Sequence, residues 1–116
     1  MNESYKNIFR NFLKYVQGVA DKEYQMRIWV QALGPECDDF SETANYILAD
    51  GDLILRKYND FNLTEKQRSL LTTFLKEFDQ FAYTIACEHP EGDFIDSPEW
   101  THVTEMAKEI LQAFHY

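Results

Sequence analysis

Apolar side chains recur at three- and four-residue spacing along nearly every segment of this chain, and that period belongs to the α-helix. From Ser4 to Ala20, Tyr5, Ile8, Phe9, Phe12, Leu13 and Val16 form one stripe, with Lys6, Arg10 and Lys14 outside it. Asp21 is placed to cap a second helix through Tyr24, Ile28, Trp29, Ala32 and Leu33, which Gly34-Pro35 would stop. A third helix is expected from about Phe40 to Ala49, and Asp50-Gly51-Asp52 reads as a turn. Leu53, Ile54, Leu55 and Tyr58 then suit a short helix better than a strand, because no other segment supplies a partner strand.

Thr64-Glu65-Lys66-Gln67 reads as a capping box, opening the longest helix, to about Ala86. Its stripe is Gln67, Leu70, Leu71, Phe74, Leu75, Phe78, Phe81, Ala82 and Ile85. Cys87 to Asp96 reads as an acidic loop, after which Ser97 caps the last helix with Pro98 at its first position. Trp100, Val103, Met106, Ala107, Ile110, Leu111 and Phe114 form that helix's inner face. The expected architecture is an all-α bundle of five to six helices in a single domain, residues 1–116.

Composition narrows the function classes. Apolar residues are 45% and aromatics 16%, too many for a disordered chain. A chain of 116 residues buries roughly two-thirds of its unfolded surface and needs no disulfide or metal to hold it. No apolar run approaches the ~20 residues a membrane span needs, and the charged first twenty residues do not read as a signal peptide. A cytoplasmic location is therefore expected, with Cys37 and Cys87 as partly buried thiols. The net charge of −9 argues against direct binding to nucleic acid.

Site chemistry finds little purchase. Glu99 and His102 match one half of a di-iron bundle motif, but the second pair and the two further glutamates are missing. Asp50-Gly51-Asp52 lacks the alternating ligands of a calcium loop. Cys87 and His89 are two residues apart and would not face each other on a helix. Adjacent Asp38 and Asp39 have nothing to separate their pKa values for acid–base work. Arg27 is expected to be partly buried, paired with an acidic residue of the turn that follows. No enzyme activity, metal or cofactor is expected.

The acidic excess is localised. Residues 35–55 hold six acidic side chains and no basic one, namely Glu36, Asp38, Asp39, Glu42, Asp50 and Asp52. Residues 77–116 hold nine acidic and one basic, centred on Glu88, Glu91, Asp93, Asp96 and Glu99. Some of these suit helix N-termini. The remainder suggests a surface that meets a basic partner, such as a nucleic-acid enzyme whose substrate groove is positive. The expected contact residues are Glu36, Asp38, Asp39, Glu42, Asp50 and Asp52, then Glu91, Asp93 and Asp96, with the two segments folded onto a common side. Tyr46 and Tyr58 are the candidate aromatic anchors.

The strings Arg27-Ile28-Trp29-Val30, Gly34-Pro35-Glu36-Cys37-Asp38-Asp39-Phe40, Asp50-Gly51-Asp52 and Asp96-Ser97-Pro98-Glu99-Trp100 resemble a family of short acidic bacterial proteins. Its members occur among the immunity proteins of contact-dependent growth inhibition and related polymorphic toxin systems. The resemblance runs from about Tyr24 to Phe114 and rests on turn-and-cap strings. It implies a helical cytosolic protein that binds one cognate toxin domain, often a nuclease, and blocks it without turnover. It carries over no interface residue. The competing expectation is a general helical adaptor or regulatory module with no toxin partner.

Overall fold

Each of the four long helices begins at a side-chain oxygen that accepts a backbone N–H of its first turn. In the computed structural model, which describes residues 2–31, 39–86 and 91–116, Asn2 caps α1 (Glu3–Ala20) through Tyr5 N at 2.7 Å. Asp39 caps α3 (Phe40–Arg56) through Glu42 N at 2.8 Å. At α4 (Glu65–Phe81) the capping box closes in both directions: Gln67 N donates to Thr64 Oγ1 at 3.1 Å, and Thr64 N donates to Gln67 Oε1 at 2.9 Å. Ser97 accepts from Trp100 N at 3.1 Å to start α6 (Pro98–Ala113). A short α2 (Lys22–Tyr24) and α5 (Glu91–Phe94) complete the α-helices, and no strand occurs among the described residues.

The side chains fix the directions. Phe9 meets Phe114 with centroids 5.2 Å apart, so the start of α1 lies against the end of α6. Tyr5 stacks on Phe61, in the turn after α3, at 4.7 Å. Gln67 Nε2 donates to the Ala113 carbonyl at 2.9 Å, bringing the start of α4 to the end of α6. Phe40, opening α3, packs on Phe78 near the end of α4 at 5.7 Å. The four long helices therefore form an antiparallel bundle in which α1 and α4 each touch both α3 and α6.

One end of the bundle is roofed by aromatic rings. Trp29, Phe40, Phe78, Phe81, Phe94 and Trp100 interlock with centroids 5.1 to 6.4 Å apart, mostly edge to face. Beneath them Gln25 is fully buried. Its Nε2 donates to the Gly18 and Val19 carbonyls at 2.9 and 2.8 Å, and its Oε1 accepts from Trp100 Nε1 at 2.8 Å. One amide thus satisfies two carbonyls left over at the end of α1 and a buried indole N–H.

Several expected boundaries are corrected. Asp50-Gly51-Asp52 is not a turn: α3 runs through it to Arg56, and Leu53–Arg56 is its last turn. Gly51 sits there because the neighbour is close; a Cβ would lie 2.6 Å from Leu75 Cδ2. The second helix is α-helical only to Tyr24 and continues as a π-helical turn, Gln25–Val30, with Gln31 N donating to Met26 O at 3.0 Å. The long helix likewise is α to Phe81 and π over Ala82–Ala86. The acidic loop contains α5, because Phe94 and Ile95, each 2% exposed, are drawn into the core. The Gly34-Pro35 stop, Ala32, Leu33, Cys37, Cys87 and His89 lie outside the described residues.

Replacing Gln25 by Leu takes the partner from the buried indole N–H and from the Val19 carbonyl, while the Gly18 carbonyl keeps the Asp21 N–H. The expected loss is about 2–4 kcal/mol in urea denaturation; a loss below ~0.5 kcal/mol would show that the amide is not needed there. Gly51→Ala is expected to destabilise by about 1 kcal/mol. The clash with Leu75 outweighs the ~1 kcal/mol advantage of Ala in a helix.

Candidate binding groove between α1 and α3

The facing edges of α1 and α3 carry mostly polar and tyrosyl side chains, with Ile8 and Gly18 the exceptions. On α1 these are Ile8, Asn11, Tyr15 and Gly18, at three- and four-residue spacing; on α3 they are Glu42, Tyr46 and Asp50, four apart. Both sets fall on one side of their helix. The two backbones touch beneath this edge, and between the edges lies a groove of about 550 Å³, also lined by Lys14 and Tyr24. That volume falls in the range of ligand-binding clefts.

Its central feature is a pair of rings. Tyr15 and Tyr46 stack with centroids 4.7 Å apart and planes 8° from parallel. Tyr46 is nevertheless 46% exposed, so much of its side chain stays accessible to a partner. Tyr24 closes the floor by lying against Gly18, where a Cβ would come within 3.4 Å of its ring. A neighbouring hollow of about 340 Å³ shares Lys14, Gly18 and Tyr24 and adds Gln17, Asp21 and Tyr116. The surface is thus rich in tyrosine, a side chain that gives large contact area at low entropic cost.

Two carboxylates flank the rings. Neither Glu42 nor Asp50 forms an ion pair with another described residue. Burial raises the Asp50 carboxyl above the usual carboxylate range, because partial loss of water disfavours the ionised form. Lys14 is the one cation among the described residues lining the groove. The arrangement offers negative charge beside flat aromatic faces, which suits a cationic or planar group.

The other expected contact residues are distributed differently. Asp39 is exposed but spends an oxygen on its helix cap. Asp52, 200° round the helix from Asp50, pairs with Arg56 at 2.9 Å. Tyr58 is half-buried beneath the Arg68 guanidinium, 4.1 Å from its ring centroid. Asp96 at the roofed end pairs with Lys22, and Asp93 is exposed on α5. Glu36, Asp38 and the side chain of Glu91 lie outside the described residues, as does the acidic turn expected to pair with Arg27. Arg27 is half-buried, its guanidinium 6.0 Å from the Tyr24 ring.

Of the expected set, Glu42, Tyr46 and Asp50 therefore come together. Tyr15, Tyr24, Asn11 and Lys14 were missed. For Asn11 and Tyr15 the signal was a row at 8, 11, 15 and 18 along the edge of the apolar stripe; Lys14 and Tyr24 fall outside that row. Glu99 and His102 line a separate groove of about 240 Å³ with Glu77. No group of three His, Cys, Asp or Glu side chains among the described residues is placed to hold a metal ion. No helix among them is long and apolar enough to cross a membrane. Comparison with protein-family models, curated proteins and solved structures returned no match.

The Asp50 shift has a sign that stability measurements can check. A raised folded-state pKa means that ionised Asp50 weakens the fold at neutral pH and that the penalty fades as pH falls toward 3.8, the unfolded value. Asp50→Asn is expected to raise Tm slightly at pH 7, by a few degrees at most. The difference between variant and wild type should shrink steadily toward pH 4.

Proposed function

We propose that this protein is an immunity protein that binds a cognate bacterial toxin domain and neutralises it by non-covalent occlusion in the cytoplasm. The observation that carries the reading is the groove between α1 and α3, with stacked tyrosines between two carboxylates that have no ion-pair partner among the described residues. Such a surface combines the aromatic anchors of strong interfaces with charge that speeds capture of a basic partner. The overall charge of −9 supports the same kind of partner. A nuclease domain fits, since its substrate groove must be positive to hold phosphates. The likeness of the turn-and-cap strings to contact-dependent growth inhibition immunity proteins points the same way. Inhibition of this kind needs no catalytic group, metal or cofactor.

If the neighbouring open reading frame encodes the toxin domain, its expression alone should kill cells, co-expression with this chain should restore growth, and the two chains should co-purify. The double variant Glu42→Gln with Asp50→Asn should bind about tenfold more weakly at low salt and lose much of the salt dependence of association. Absence of both rescue and co-purification would overturn the reading.

A further inference from the structure

We propose that the α1/α3 groove receives an arginine side chain of the partner, its guanidinium lying flat on the Tyr46 ring and pairing with the Asp50 carboxylate. The inference rests on the toxin-binding reading only for the owner of that arginine. Three observations carry it.

Tyr46 is held from behind by Tyr15 at 4.7 Å, so the ring is oriented before anything binds, and little order remains to be imposed. A ring face presents the negative side of the ring quadrupole, which attracts cations. The same chain already contains such a contact, with the Arg68 guanidinium 4.1 Å above the Tyr58 ring. A planar, weakly hydrated guanidinium stacks in this way better than an ammonium does.

Asp50 lies one helical turn from Tyr46, about 6 Å along α3, within reach of a guanidinium stacked on the ring. Glu42 lies one turn the other way, about 12 Å from Asp50, so a single guanidinium engages only one of them. Asp50 is the more buried of the two, and a pair formed there is screened less by salt. It has no ion pair among the described residues to exchange.

Lys14 opposes the incoming cation from the α1 side. It sets a sign that a mere loss of folding cannot imitate: removing it should improve binding.

The test titrates the full chain, ¹⁵N-labelled, with N-acetyl-L-arginine methylamide and with its lysine and citrulline counterparts, citrulline being the uncharged isostere. Saturable shifts are expected at amides of residues 11–18 and 42–50, with a dissociation constant on the order of 1–10 mM. Lysine should bind about two- to five-fold more weakly and citrulline not measurably. Tyr46→Ala and Asp50→Asn should each abolish saturation, whereas Lys14→Gln should tighten binding about two-fold. The proposal is overturned if citrulline matches arginine, if the shifts fall elsewhere or are absent, or if the Tyr46 and Lys14 variants titrate as wild type. The two readings separate cleanly. Protection of cells without arginine binding in the groove overturns this inference alone. Arginine binding without toxin neutralisation supports the inference and overturns the proposed function.

Discussion

The Gln25 side chain is the point through which the roofed end of the bundle is organised. A helix that ends inside a protein leaves carbonyls that must find donors, and here one buried amide supplies them to α1 at Gly18 and Val19. By accepting from Trp100 as well, the same amide joins α1, the π-helical turn and α6. The chain must then fold back across the bundle end directly after α1. That crossing brings Trp29 onto Phe40 and Trp100, and the aromatic roof follows. It also sets Tyr24 against Gly18, which makes the floor of the groove.

The groove is a consequence of what the α1 and α3 edges lack. Elsewhere the long helices meet over interlocking apolar side chains, as where Leu75 closes on Gly51. Between α1 and α3 that packing lies deeper, with Phe12, Val16 and Ile47 fully buried. Above it, Asn11, Lys14, Glu42 and Asp50 hold the edges open, because charged groups keep their water unless paired. The stacked tyrosines bridge the gap at mid-length. The cost is carried by Asp50, which gives up part of its hydration on burial.

The fold was legible wherever a signal is local. Thr64 with Gln67, and Ser97 with Pro98, announce helix starts because their hydrogen bonds span three residues. The Asp50-Gly51-Asp52 string misleads because its residue types suit turns, while the requirement for Gly comes from Leu75, twenty-four positions on. Reading α3 as ending at Ala49 also hid the row Glu42, Tyr46, Asp50 on a continuous helix. Half of the candidate site, the acidic and exposed tyrosyl half on α3, was marked by charge. The α1 half was not, because Asn11, Tyr15 and Gly18 differ from ordinary edge positions only in what stands opposite them.

Periodicity and capping chemistry were enough to establish helices and their starts, since both depend on residues within one turn of each other. Charge along the chain was enough to direct attention to two acidic segments. Which acids remain available to a partner was decided by packing in three dimensions. Asp52 is paired with Arg56 and Asp96 with Lys22, while Asp50 is left in the groove without an ion pair among the described residues. Pairing depends on distances of a few ångströms between side chains, in one case seventy-four residues apart, and no local pattern encodes that separation.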